Sequence, residues 1–207
     1  MEKPQGQRTC LYDTRQLDAV LDHMAWQAAG FLTGRHQVML AGILRRGAPL
    51  AEMLHERLLH DYGLHRITRL DLRIKRYADD LTLLHPETKL TENPEHASLD
   101  LTGTALLVVD DVMYKGHSML RAVEYLANKN PAEIRTVVLV DRGAAKLPVR
   151  TDIVGVRLDV APEHIIECNV PPYEEQFRID LLDPGKPHSE PSSLSHPPLV
   201  RGGAGRG

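Results

Sequence analysis

Apolar residues recur along this chain with two different periods, and the two alternate. In LYDTRQLDAVLDHMAWQAAGFL, Leu17, Leu21, Met24, Ala28 and Phe31 share one face at helical spacing, and Asp13 stands where an N-cap is expected. QVMLAGI (37–43) is a short unbroken apolar run and predicts a buried strand. APLAEMLHERLLHDYG (48–63) returns to the helical period through Leu50, Leu54 and Leu58 and stops near Gly63. In RITRLDLRIKRY, Leu70, Leu72 and Ile74 alternate with Arg69, Asp71, Arg73 and Lys75, the pattern of a half-buried strand. TALLVVDD predicts a strand, and HSMLRAVEYLAN a helix with Met119, Val123 and Leu126 inward. IRTVVLVD (134–141) and DIVGVRL (152–158) are two further strands.

Fully apolar strands joined through a crossover helix predict an α/β fold, a central and mostly parallel sheet with helices on both faces. In such a Rossmann-like core, ligands bind at the carboxyl ends of the strands. Residues 78–100 are long, polar and without clear period, and are expected to form a mobile flap loop. From Asp183 onward the chain is dominated by Pro, Gly and Ser, so 183–207 is expected to be a disordered tail and 8–182 the folded domain.

Composition narrows the setting. With 207 residues, 42% hydrophobic and 26% charged, the chain has the makeup of one globular domain. No run approaches the ~18 apolar residues that span a bilayer, and MEKPQGQRTC lacks the apolar segment of a secretory signal. Two cysteines, Cys10 and Cys168, make neither a ligand cluster nor a disulfide framework, so a cytoplasmic setting without membrane contact is expected. The eleven histidines show no paired ligand spacing, which argues against zinc. Trp26 and the inward methionines read as core, and Cys168 as a buried thiol.

The chemistry concentrates in LLVVDDVMYKGHSML (106–120). Asp110 and Asp111 follow an apolar strand, and Gly116 precedes a helix whose first amides lack partners. Those amides, the helix dipole, Gly116 and the Ser118 hydroxyl make a cradle for a phosphate monoester. Carboxylates repel a phosphate, so the acid pair should meet the hydroxyls of a phosphorylated sugar, or a metal. The plainer alternative is an N-cap beside a solvated acid.

This stretch resembles the ribose-phosphate signature of type I phosphoribosyltransferases: a strand, two acids, and a turn ending Thr-Gly-x-Thr or Ser. AGILRRGAPLAEML resembles that family's pyrophosphate loop, and LRIKRYADDLT the strand leading into its catalytic flap. VVLVDRGAAKLPVRTDIVGV resembles the base-binding segment of one branch, the bifunctional pyrimidine-operon attenuator/uracil phosphoribosyltransferases. The resemblance implies transfer of ribose 5-phosphate from phosphoribosyl pyrophosphate (PRPP) to a nucleobase, uracil in that branch, with a small hood over the site and a homodimer or higher assembly.

It further implies roles for particular residues. Arg45, Arg46 and Gly47 would hold pyrophosphate, since guanidinium groups grip phosphate oxygens two at a time. Tyr114, Lys115, Gly116, His117 and Ser118 would wrap the 5-phosphate. Asp110 and Asp111 would bind the ribose hydroxyls and Mg2+, the metal held mostly through substrate. Arg76, Asp79 and Asp80 belong to the flap, which would close to exclude water. Asp141 and Arg142 would face the base. Each has a structural alternative: Arg45–Arg46 as a solvated turn, Arg142 as a structural partner of the Asp141 neighbourhood.

The signature departs from the family at two positions. Lys115 stands where a threonine is usual, which removes a hydroxyl donor, and His117 stands where arginine or a small residue is common. The same branch binds messenger RNA through a basic face. Here net charge is −3, and the tail holds three Lys/Arg against two Asp/Glu, so the rest is slightly more acidic. RNA affinity depends on neutralising phosphates, so RNA is expected to rank below the small molecule as a partner. The Arg69/Arg73/Lys75 face reads first as an ordinary exposed strand face.

Overall fold

The computed structural model describes residues 5–75, 89–91 and 99–185. Arg76, Asp79, Asp80 and most of the 78–100 segment lie outside the described residues, as does the tail from 186. The elements in chain order are β1 (Gln7–Tyr12), α1 (Thr14–Leu32), β2 (Gln37–Ile43), α2 (Gly47–Tyr62), β3 (Ile67–Lys75) and β4 (Lys89–Thr91). They continue with β5 (Thr104–Met113), α3 (His117–Ala127), β6 (Glu133–Asp141), β7 (Ile153–Arg157), β8 (Ile165–Asn169) and β9 (Arg178–Asp183).

Helix boundaries follow local chemistry. Asp13 caps α1 by accepting from the Gln16 amide at 2.9 Å, while the Gln16 side chain accepts from the Asp13 amide at 3.0 Å, a reciprocal capping box. α2 ends where Gly63 turns left-handed at φ 65°.

One sheet has the order β4-β3-β2-β5-β6-β7. β3, β2, β5, β6 and β7 are mutually parallel, and β4 runs antiparallel to β3 at the edge. α1 and α2 cover one face, where Leu17, Leu21, Leu54 and Leu58 pack on Leu40, Leu107, Val109 and Leu139. On the other face, Met119, Ala122 and Leu126 of α3 pack with Leu106, Val108, Leu70 and Leu72. β5 is apolar in both registers because helices cover both its sides.

A second, antiparallel sheet, β1-β9-β8, forms the hood. Its Ile166, Cys168, Val170, Phe177 and Ile179 join the core under α1 and α2. The Arg8 guanidinium holds Glu167 across it at 2.7 and 3.0 Å.

Several details differ from the sequence expectation. Residues 89–91 of the flap segment are strand, too short for a period to show. β1 and β9 are unpredicted, and Asp183 ends β9 instead of opening the tail. Trp26 is 60% exposed and stacks on His23 with centroids 5.4 Å apart, because two residues past Met24 a helix has turned to its far side. Phe31 is also exposed. The buried stripe of α1 drifts to Ala25, Ala29 and Leu32, and the Phe31 ring lies 5.0 Å from the Arg135 guanidinium. Among the described residues no helix is long and apolar enough to cross a membrane.

Two glycines test this packing. A methyl group at Gly155 would lie 2.7 Å from Leu139 O, 2.8 Å from Met24 Sδ and 2.9 Å from Val20 Cγ1, whereas at Gly30 it meets nothing within 4 Å. In urea unfolding, Gly155→Ala is expected to cost about 1–3 kcal/mol by wedging β7 from α1. Gly30→Ala, inside a helix, is expected to be neutral or to stabilise by up to ~1 kcal/mol.

Candidate active site

The site is built where β5 outruns its neighbour. Pairing of β2 with β5 stops at Gly42–Val109, whereas pairing of β5 with β6 continues from Asp110–Val138 to Met113–Asp141. The acids therefore lie within the strand, beyond the end of β2, and not in a turn after it. The turn at 44–46 and the start of α2 fill the space that β2 leaves. A Cβ on Gly47 would stand 2.4 Å from Val109 O and 3.1 Å from Asp110 Cα, so only glycine lets this backbone lie against the acid pair. One carboxylate oxygen of Asp110 accepts from the Asp111 amide at 2.9 Å, and one of Asp111 from the Val112 amide at 3.0 Å.

Burial pushes the Asp111 carboxyl above its ordinary range, with the positive Arg46 opposing the shift. Behind the acids, burial and the charge of Asp111 push the Cys168 thiol well up, in keeping with an inert thiol. Among the described residues no group of three or more His, Cys, Asp and Glu is arranged so that it could hold a metal ion. Two carboxylates without a third acid fit a hard cation such as Mg2+ that keeps water and substrate oxygens as its other ligands.

On the other side of the acids, residues 114–116 turn into α3. Gly116 caps the helix at φ 87° with no side-chain bond to its first amides. A small cavity here is lined by Asp110, Tyr114, Lys115, Gly116, His117 and Ser118. The structure thus gathers the whole sequence-predicted phosphate loop. The chain after β6 folds over it: the Arg142 amide donates to Met113 O at 3.1 Å and the Lys146 amide to Lys115 O at 3.3 Å.

The two residues assigned to the base are engaged close by. Asp141 accepts from the Gly143 amide at 2.9 Å. Arg142 is only 8% exposed, lies 4.5 Å over the Tyr114 ring and donates to Ala161 O at 3.4 Å. The Lys115 ammonium sits 5.4 Å from the same ring. Two cations therefore lie near the Tyr114 ring.

Arg45 and Arg46 meet the hood. The Arg45 guanidinium lies 4.9 Å over the Tyr173 ring, and Arg46 forks onto the Glu174 carboxylate at 3.2 and 2.5 Å. Tyr173 and Glu174 lie in the connection between β8 and β9 of the hood. Partners 128 positions apart leave no local signal.

An open parallel sheet with an acid pair and a glycine cradle at its carboxyl edge defines a binder of phosphorylated sugars on an α/β scaffold. The phosphoribosyl transferase domain model matches residues 7–176, and the chain belongs to the type I phosphoribosyltransferase family, in its PyrR branch. It is 33% identical to the bifunctional protein PyrR of Streptococcus pyogenes serotype M12 over 148 residues, 71% of this chain and 81% of that one. It is 29% identical to the same protein of Bacillus cereus over 178 residues, 86% and 98% of the two chains. In fold it resembles the Trypanosoma cruzi hypoxanthine phosphoribosyl transferase (TM-score 0.69, 16% identity, covering 89% of this chain and 95% of that one). A hypoxanthine-guanine phosphoribosyltransferase of Bacillus anthracis is similar too (TM-score 0.65, 15% identity, covering 87% and 99%).

The raised Asp111 carboxyl sets a pH dependence. A folded-state value above the unfolded one means that the native protein resists ionising this group, so its contribution to stability falls as pH rises from the ordinary carboxylate value through the raised one. Asp111→Asn keeps the acceptor for the Val112 amide and removes the charge. It is expected to match wild type in chemical denaturation near pH 3 and to exceed it at pH 7.

Proposed function

We propose that this protein transfers ribose 5-phosphate from PRPP to a nucleobase, uracil in first place, releasing pyrophosphate. The observation that carries the reading is the placement of Asp110 and Asp111 between the Gly47 turn and the uncapped start of α3. A 5-phosphate in the 114–118 cradle would bring ribose hydroxyls to the acid pair, with pyrophosphate on the Arg45–Gly47 side. Mg2+, held by Asp110 and Asp111 and the substrate's oxygens, would neutralise charge on the leaving group. Asp111, with its carboxyl raised by burial, is suited to take a proton from the base as the new bond forms. The transition state is oxocarbenium-like, so rate comes from positioning and from fixed charges already in place. Arg76, Asp79 and Asp80 are assigned to a flap that excludes water. Asp141 and Arg142 are assigned to the base side, Arg142 acting by holding Tyr114. The preference for uracil comes from the PyrR branch. The purine transferases it resembles in fold share too little sequence to bear on the base.

A second reading is favoured by Lys115 alone. Its ammonium takes the place of a phosphate-binding hydroxyl, and a loop so altered can retain PRPP or a nucleotide without turnover, as a regulator of pyrimidine genes acting on RNA.

Pyrophosphate release from PRPP and Mg2+ separates the two, with uracil, hypoxanthine, guanine, adenine and orotate supplied one at a time. Release with uracil is expected, with kcat lowered about 10²–10⁴-fold in Asp111→Asn. Lys115→Thr is expected to leave the rate unchanged or raise it. PRPP binding without release for any base would favour the regulator instead.

A further inference from the structure

The turn that follows β2 and the hood meet through two consecutive pairs, Arg45 with Tyr173 and Arg46 with Glu174. The hood side of this clasp is organised on its own. The Tyr173 and Glu174 amides both donate to Val170 O, at 3.1 and 3.3 Å, and Glu174 Oε2 accepts from the Val170 amide at 2.9 Å. Residues 170–174 thus form a closed turn that presents one carboxylate to Arg46.

A guanidinium grips a carboxylate and a phosphate with the same planar, two-point geometry. The Nε–Nη2 edge of Arg46 is taken by Glu174 in that way. The charges nearby matter as well. Arg46 stands beside both Glu174 and Asp111, so one cation serves two carboxylates. Arg45 adds a second, with its charge turned onto Tyr173. A diphosphate arriving here finds this edge of Arg46 already taken by the Glu174 carboxylate. The pair is not sealed: about a third of the Arg46 side chain (35%) remains accessible.

We infer that Glu174 is an internal stand-in for pyrophosphate, occupying the edge of Arg46 that the diphosphate of PRPP takes, so that PRPP binds by lifting the 170–174 turn off the loop. This rests on the reading of Arg45–Gly47 as the pyrophosphate loop. It adds a competitor within the chain and a coupling between loop and hood. The opposite role, Glu174 holding Arg46 in place while the ligand binds another edge, predicts the opposite sign and is therefore separable.

Glu174→Gln keeps the shape and the acceptor for the Val170 amide while removing the charge. Calorimetric titration with PRPP and Mg2+, and separately with inorganic pyrophosphate, is expected to show roughly three- to tenfold tighter binding in this variant than in wild type. In the wild-type protein, hydrogen exchange at the Val170 amide should speed up when PRPP saturates the site. Unchanged or weaker binding in Glu174→Gln, or a Val170 amide indifferent to PRPP, would overturn the inference while leaving the transferase reading intact. Failure of wild type and variant alike to bind PRPP would overturn both.

Discussion

Val109 O leaves no room for a side chain at Gly47, and the site is arranged around that contact. Because the turn after β2 can lie directly on β5, its arginines reach the end of a buried strand that carries two adjacent acids. The same closeness makes Arg46 a countercharge for Asp111. Gly116 does the corresponding work on the other flank, entering a left-handed conformation so that α3 starts at once. Polar groups carried by different crossovers thus converge on a single strand end.

The clustering has an electrostatic cost that the fold meets in a particular way. Burial disfavours the ionised form of Asp111, and no fixed metal cage compensates among the described residues. Arg46 divides its charge between Asp111 and a hood carboxylate.

How much of this could be read from the sequence depends on distance along the chain. The Asp13 cap, β2, the stop at Gly63 and the acid pair are set by neighbours within a few residues, and all were legible. The turn through Gly116 into α3 was legible for the same reason. Trp26 was misplaced because a large aromatic residue suggests core whereas its position on the helix decides otherwise. β1 and β9 were invisible, since each is a mixed six-residue stretch that becomes a strand only by pairing with the other. The partners of Arg45 and Arg46 were hidden too, because they come from the hood, and no period or motif connects residues so far apart.

The hood is woven from both flanks of the domain. β9, near the end of the described chain, lies between β1, which precedes every helix, and β8. During synthesis β1 therefore has no strand partner until the whole parallel sheet has left the ribosome. Long-range pairing of this kind is slow to form and leaves an edge exposed while it waits. The last step of assembly is then also the step that brings Tyr173 and Glu174 over the arginines. A half-made chain would possess the Gly116 turn and the acid pair without the hood, and arrival of the hood would mark completion of the fold.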